Sequence, residues 1–325
     1  MKRFLKYLFR FLLLFIIAFA VFFFWASSPT LNEGEYAKLI QVDGFEIPKN
    51  DSIYSIVTYN IGYLSGMTNN LPIAKSKSLF EDNLQKVISE TQKTNPDIMA
   101  FQEIDYNASR SYSINQEEAI ANLGFGYRAR TINWDENYVP FPYWPFSMHF
   151  GKVVSGQSII SKYPLKNHQR TVLQRVEDAP FYRDAFYLER LAQVVKVMLN
   201  GYEVVLINVH LEAFEKETRA NQFQEILTIF NQYKNKYPTI LLGDFNSRAR
   251  DEAAIIQKMF TMEGVASAAL NLENLENTFD TKAPFERIDY IFYTKNSIEY
   301  ISGKVLKEFE QASDHLPVFM EFKLK

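Results

Sequence analysis

The stretch TILLGDFNSRAR, residues 239–250, decides how this chain is read: an apolar run stops at Gly243 and presents Asp244 and Asn246 two residues apart. Taken alone, Gly, Asp and Asn after a strand make a tight turn or a helix N-cap. Five further apolar runs change that reading. SIVTYN ends in Asn60, DIMAFQE in Gln102 and Glu103, and VVLINVH in Asn208 and His210. RIDYIFY carries Asp289 near its start, and SDHLPVF sets Asp314 and His315 directly before a strand. If these ends share one rim, they build an acidic cleft suited to an oxygen-liganded Mg²⁺ or Mn²⁺. The chain has four histidines, His149, His168, His210 and His315. A single buried histidine is more often a satisfied core residue, but two of the four lie in strand-end motifs beside acids, where imidazoles move protons near neutrality.

The runs around this rim are strands by composition, rich in Val, Ile, Phe and Tyr and bounded by Gly, Asn, Asp or Pro. They cover 52–60, 97–103, 152–161, 190–199, 202–210, 239–244, 287–293, 298–306 and 316–324. Asn200-Gly201 joins two of them as a hairpin. Helical spacing of apolar residues covers 78–93 and 216–235, and shorter helices are expected at 116–123 and 252–262. So many strands with so few helices do not alternate as βαβ units. Two mixed sheets packed face to face with helices outside fit best. No composition break or repeat divides the chain after Ser52, so 51–325 reads as one domain preceded by a polar linker, 27–50.

The first 26 residues belong to a different solvent. MKRFLKYLFR carries Lys2, Arg3, Lys6 and Arg10 with no acid, and the sixteen residues 11–26 carry no charge. A spanning helix needs about 20 apolar residues, fewer if flanking Arg and Lys snorkel. A cleaved signal peptide would need small residues where Phe24 and Trp25 stand. The segment therefore reads as a single-pass signal anchor, 11–26, behind a basic cytoplasmic segment, 1–10, with the rest of the chain extracytoplasmic. Four of the 35 basic residues and none of the 38 acidic ones lie in it, so the remainder is net acidic. An acidic domain is a poor general binder of polyanions. There are no cysteines, which excludes disulfides, thiolate metal sites and cysteine nucleophiles.

TYNIG, FQE, NVHLE, GDFN, RIDYIF and SDHLP, in that order, resemble the endonuclease/exonuclease/phosphatase superfamily, whose members look like deoxyribonuclease I. The resemblance spans about 53–323. It implies a four-layer α/β/β/α sandwich and metal-dependent cleavage of phosphoester bonds. It also implies roles: Glu103 as main metal ligand supported by Asn60, with Asp314 holding the metal or its water. Asp244 would orient or deprotonate the attacking water, and Asn246 would bind a phosphate oxygen. His210 and His315 would flank the phosphoryl group, with Asp289 orienting one of them.

Three readings stay open. Arg110, in EIDYNASRSY, is a candidate phosphate contact or an ordinary ion-pair partner. Residues 137–151, with seven aromatic rings counting His149 and three prolines, are a lid packed on the core or a loop that meets lipid. Tyr182, Arg183 and Asp184 receive no assignment. The anchor, the acidic balance and the aromatic loop favour a lipid head group or inositol phosphate as substrate over nucleic acid. The alternatives are a tethered nuclease and a non-catalytic surface binding protein. The sequence does not give the oligomeric state.

Overall fold

A computed structural model describes residues 1–48, 52–69 and 71–325. The expected domain boundary at 50/51 lies outside the described residues. The strands are β1 (Ala37–Gln41), β2 (Tyr54–Asn60), β3 (Ile98–Asp105), β4 (Tyr127–Val139), β5 (Gly151–Ser161), β6 (Leu165–Val172) and β7 (Leu191–Leu199). They continue with β8 (Tyr202–His210), β9 (Thr239–Asp244), β10 (Val265–Ser267), β11 (Asp289–Thr294), β12 (Ile298–Val305) and β13 (Val318–Leu324). The helices are α1 (Lys2–Ala26), α2 (Lys77–Thr94), α3 (Gln116–Ala121), α4 (Phe181–Asp184), α5 (Lys216–Tyr233) and α6 (Gln257–Phe260).

Seven strands form one sheet in the order β1-β4-β5-β3-β2-β13-β12, and six form a second, β10-β11-β9-β8-β7-β6. The pairs β2–β3 and β8–β9 are parallel and the others antiparallel, so both sheets are mixed. Alternation along each strand makes the layers. Ile56, Ala100, Val195, Leu206, Leu242 and Met320 fill the space between the sheets. The opposite faces, Val57, Tyr59, Met99 and Phe101, bury Phe80, Leu84 and Val87 of α2. On the other side Val205, Ile207 and Leu241 bury Phe223, Ile226 and Phe230 of α5. The result is the expected four-layer α/β/β/α sandwich.

Local chemistry fixes the elements. Ser76 Oγ accepts the Leu79 amide to cap α2, and Asn95 ends it in a left-handed conformation. The β7–β8 hairpin turns at Asn200 and Gly201, both at positive φ. Gly243 is the one residue β9 tolerates at its position: φ is +139° and a Cβ would stand 2.0 Å from the Val209 carbonyl oxygen.

Three expectations needed correction. Residues 252–262 form only the short α6, because Asp251 Oδ1 accepts the Ala253 amide and Ser247 Oγ the Ile256 amide, which holds the preceding segment in turns. Strands β4 and β6 escaped notice because they are polar; Arg130 of β4 reaches buried Glu117. The segment expected as a linker is stitched to the domain. Strand β1 pairs with β4, and one Asp135 carboxylate accepts the Thr30 amide (3.0 Å), the Thr30 hydroxyl (2.6 Å), the Leu31 amide (2.9 Å) and the Tyr36 hydroxyl (3.0 Å).

His168, on β6, is held between Thr131 Oγ1 (2.9 Å) and Gln193 Nε2 (3.1 Å). Burial lowers its pKa to about 4, against a smaller upward pull from a Lys38 backbone hydrogen bond. Between about 6.5 and 4 the unfolded chain then binds a proton that the folded chain does not, so stability present above pH 6.5 is lost as pH falls through this window. The loss reaches about 2 kcal/mol at pH 5. Urea unfolding at pH 7 and pH 5 checks this: His168→Gln should remove that share of the pH dependence, and an unchanged slope would contradict it.

Candidate active site

The inward positions change from apolar to polar on approaching one rim. Along β8 they run Val204, Leu206, Asn208, His210; along β9 Ile240, Leu242, Asp244; along β11, entering from the rim, Asp289, Ile291, Tyr293. Asp244 and Asp289 lie directly opposite each other on antiparallel neighbours. Asn60 closes β2 on the facing sheet, and the loop before β13 brings Asp314 and His315. The rim lines a cleft of about 910 Å³ that includes Asn60, Glu103, His210, Asp244, Asn246, Asp314 and His315.

Glu103 reaches this rim by a different route. Continued alternation after Phe101 and Gln102 would turn it toward α2, but the β3–β5 register shifts between Phe101 and Ile104 and Glu103 adopts φ +51°. Asn69 Nδ2 then donates to Glu103 Oε2 (2.9 Å) and to Asp314 Oδ1 (3.3 Å), bridging the two carboxylates. Burial, followed by the charge of Asp314, raises the Glu103 carboxyl above its usual range.

A second group of acids surrounds His315. Its Nδ1 donates to Asp289 Oδ2 at 3.0 Å, so Asp289 is the partner of His315 and not of His210. Its Nε2 faces Asp244 Oδ2 at 3.9 Å. Burial lowers the affinity of His315 for its second proton, but the carboxylates of Asp289 and Asp244 outweigh burial and hold it well above the ordinary value. Asp244 accepts from Asn60 Nδ2 (3.0 Å) and the Asn246 amide (2.9 Å). Burial and the charge of Asp289 raise its pKa to about 7, the range that suits a general base at neutral pH.

His210 is placed otherwise. Arg190 Nη1 stands 2.7 Å from its Nε2, and a guanidinium only donates, so Nε2 is an acceptor. Burial, then the charge of Arg190, holds the ring neutral, well below its ordinary value. As it stands His210 offers no Nε2 proton to the cleft. Asn246 Nδ2 donates to the Leu211 carbonyl, and Asn60 Oδ1 accepts the Gly62 amide. Gln102 and Asn208 lie beneath the site, joined at 2.6 Å, and tie the two sheets together.

Of the two readings of Arg110, the structure shows the ion pair. Arg110 makes a buried two-point contact with Asp105 (2.8 and 3.2 Å), stacks on Tyr63 at 3.6 Å, and is absent from the cleft lining. The ion-pair reading holds because Asp105 ends a fully buried strand and requires a countercharge. Sequence reasoning missed Asn69, which sits in a loop with no strand-end pattern, and Arg190, which directly precedes the apolar run of β7 as an arginine can before any strand. It also left unassigned Tyr182 and Arg183, which line the cleft.

Two stacked sheets whose common rim gathers carboxylates, amides and an aspartate-held imidazole define a phosphoester hydrolase architecture. Residues 57–315 match the Endonuclease/Exonuclease/phosphatase family, and the chain belongs to it; its members hydrolyse phosphoester bonds. The fold is similar to that of an endonuclease/exonuclease/phosphatase from Beutenbergia cavernae, at 20% identity, a TM-score of 0.62, and coverage of 84% of this chain and 72% of that one. It is also similar to the human Nocturnin catalytic domain, solved with bound sulfate anion, at 16% identity, a TM-score of 0.58, and coverage of 91% and 100%. Zebrafish (D. rerio) TDP2, humanized by 14 mutations, gives 17% identity, a TM-score of 0.56, and coverage of 84% and 100%. Among curated proteins the chain resembles a UPF0294 protein of Vibrio cholerae, 27% identical over 126 residues, which make up 38% of this chain and 42% of that protein.

Proposed function

We propose that the protein is a membrane-anchored, Mg²⁺- or Mn²⁺-dependent phosphodiesterase or phosphatase whose substrate is a lipid head group or small phosphate ester in preference to nucleic acid. The observation that carries this reading is the convergence of the Glu103–Asp314 pair with the Asp244–His315–Asp289 cluster on one cleft. Support for the substrate class comes from the lining, which among the described residues includes Phe141, Phe186, Phe214 and Phe285 but, for cations besides the protonated His315, only Arg183, Arg190 and Arg248. Support for the anchor comes from α1, long and apolar enough to cross a membrane and buried only at Ala26.

Two acid groups compete for the cation. Asp244, Asp289 and His315 offer ligand atoms within 4.8 Å of one another. An ion bound by His315 there would have to displace the second proton that the carboxylates of Asp289 and Asp244 hold on its ring. Glu103 and Asp314 are bridged by the Asn69 amide, and burial followed by the charge of Asp314 raises the Glu103 carboxyl. Two carboxylates beside side-chain amides suit a hard dication, so Glu103 and Asp314, with Asn60 adjacent, are assigned to it. When bound, the ion supplies charge neutralisation at the phosphoryl oxygens.

The chain's own residues do the rest. Asp244 takes a proton from the attacking water as the water oxygen bonds to phosphorus. The P–O bond to the leaving group breaks, and the Nε2 proton of His315 stabilises the oxyanion or passes to the departing oxygen. Asp289 fixes the ring so that this proton points into the cleft, and Arg190, which donates to His210, adds a fixed positive charge to the cleft lining. Asn246 orients Asp244 through its amide and is the candidate contact for a phosphate oxygen.

Asp289→Asn should lower kcat by about 10²-fold with little change in KM, because a buried amide no longer holds the imidazolium. Steady-state kinetics decides, and a loss below about threefold would remove Asp289 from the mechanism. The reading as a whole is tested by offering the full chain plasmid DNA and phospholipid vesicles with Mg²⁺ and then with EDTA. EDTA-sensitive lipid cleavage is expected. DNA nicking without lipid cleavage would make the protein a tethered nuclease, and silence on both, extended to a panel of soluble phosphate esters, would leave a binding protein.

A further inference from the structure

The mouth of the cleft carries large apolar side chains in open solvent: Trp144 is 74% exposed, Phe146 67%, Phe181 75% and Phe214 86%. Four such residues on one rim exceed the scattered exposure of ordinary surfaces. Three of them, Trp144, Phe146 and Phe181, are joined to α1 by unbroken ring contacts. Trp25 stacks on Tyr138 at 6.4 Å, Tyr138 meets His149 at 5.5 Å, His149 meets Phe146 at 5.3 Å, and Phe146 meets Trp144 at 5.1 Å. On the other flank Phe23 touches both Phe181 (5.8 Å) and Phe186 (5.6 Å), and Phe186 lines the cleft.

Phe22, Phe23 and Trp25 occupy the last turn of α1. The uncharged part of that helix, residues 11–26, rises about 24 Å at 1.5 Å per residue, short of the roughly 30 Å of a bilayer's hydrocarbon. A span that is too short draws its flanks toward the apolar layer. The flank here is the aromatic rim of the cleft, and aromatic rings are the side chains that settle at the membrane boundary.

We propose that the mouth of the cleft rests in the surface of the bilayer that holds α1, and that the substrate is a phosphoester of a membrane lipid whose tails stay in that leaflet. The assignment of substrate rests on the phosphoesterase reading above; the placement of the rim does not.

The test uses the full chain in phosphatidylcholine vesicles with acyl chains brominated near the head group. Besides Trp144 the chain has Trp25, in α1, and Trp134. Trp25→Phe removes the helix reporter, so emission of the W25F protein should still be quenched by the brominated lipid, and quenching should vanish in W25F/W144F. A W25F protein unquenched while the parent is quenched overturns the placement. Trp144, Phe146 and Phe181 lie outside the cleft lining. The triple variant W144S/F146S/F181S should cleave vesicle phospholipid at least about 10-fold more slowly and turn over water-soluble bis-para-nitrophenyl phosphate at the parental rate. Equal losses on both substrates overturn the proposal. If the parent cleaves neither, the phosphoesterase reading fails and the quenching result alone decides where the rim sits.

Discussion

Asp244→Asn is expected to lower phosphodiester hydrolysis by about 10³- to 10⁴-fold, the upper part of the range for a general base, while leaving the protein at least as stable as its parent. The activity loss follows from the proposed role: an amide cannot take the proton of the attacking water. The stability gain follows from burial. Asp244 and Asp289 are buried and lie directly opposite each other, and burial followed by the charge of Asp289 raises the cost of ionising Asp244. A neutral Asn removes that repulsion, at the cost of its attraction to the His315 imidazolium and of one mismatch, because both Asp244 oxygens accept from Asn60 Nδ2 and the Asn246 amide and Asn keeps one acceptor. Turnover and thermal melting on the same preparation check both halves. Activity within about 10-fold of the parent would remove Asp244 from the role of base, and a large drop in melting temperature would show that its charge holds the rim together.

Glu103→Gln is expected to abolish the response to the cation. In the parent, Mg²⁺ at about 100 times its dissociation constant should stabilise the fold by about 2.7 kcal/mol through mass action, and EDTA should remove both this gain and the hydrolysis. With Gln at 103, one of the two carboxylates bridged by Asn69 is lost, and both the melting shift and the activity should disappear at that Mg²⁺ concentration. Differential scanning fluorimetry against Mg²⁺ reads this without a substrate. If the variant keeps the full shift, the ion sits elsewhere, and the Asp244–Asp289–His315 group becomes its site.

The layered fold was legible because its buried strands are apolar and its hairpin carries Asn-Gly, signals that need no tertiary information. Strands β4 and β6 were not, since arginine, aspartate and glutamine enter strands when partners elsewhere in the chain neutralise or hydrogen-bond them, as Glu117 does for Arg130. In the site, period two alone predicts that Asn60, His210, Asp244 and Asp289 share a rim. It places Glu103 on the wrong face, and the family resemblance supplied what the bulge at φ +51° brings about. That Asp289 holds His315 depends on how the loop before β13 folds back onto β11. No spacing encodes this. Arg190 was illegible for the same reason: its effect on His210 exists only once β7 and β8 are paired.

The Asp135 clasp on Thr30 and Leu31 has a kinetic consequence. Between the end of α1 and the clasp lie Ser27, Ser28 and Pro29, a reach of about 10 Å at full extension, and Asn137 already holds the Ser28 carbonyl. In the proposed anchoring, a leash this short leaves the domain neither room to swing away from its own leaflet nor length to touch an opposing one. Encounter becomes a two-dimensional search. Turnover should follow the mole fraction of substrate among the lipids around each molecule, falling as inert lipid dilutes it, and should be indifferent to how many further vesicles the solution contains.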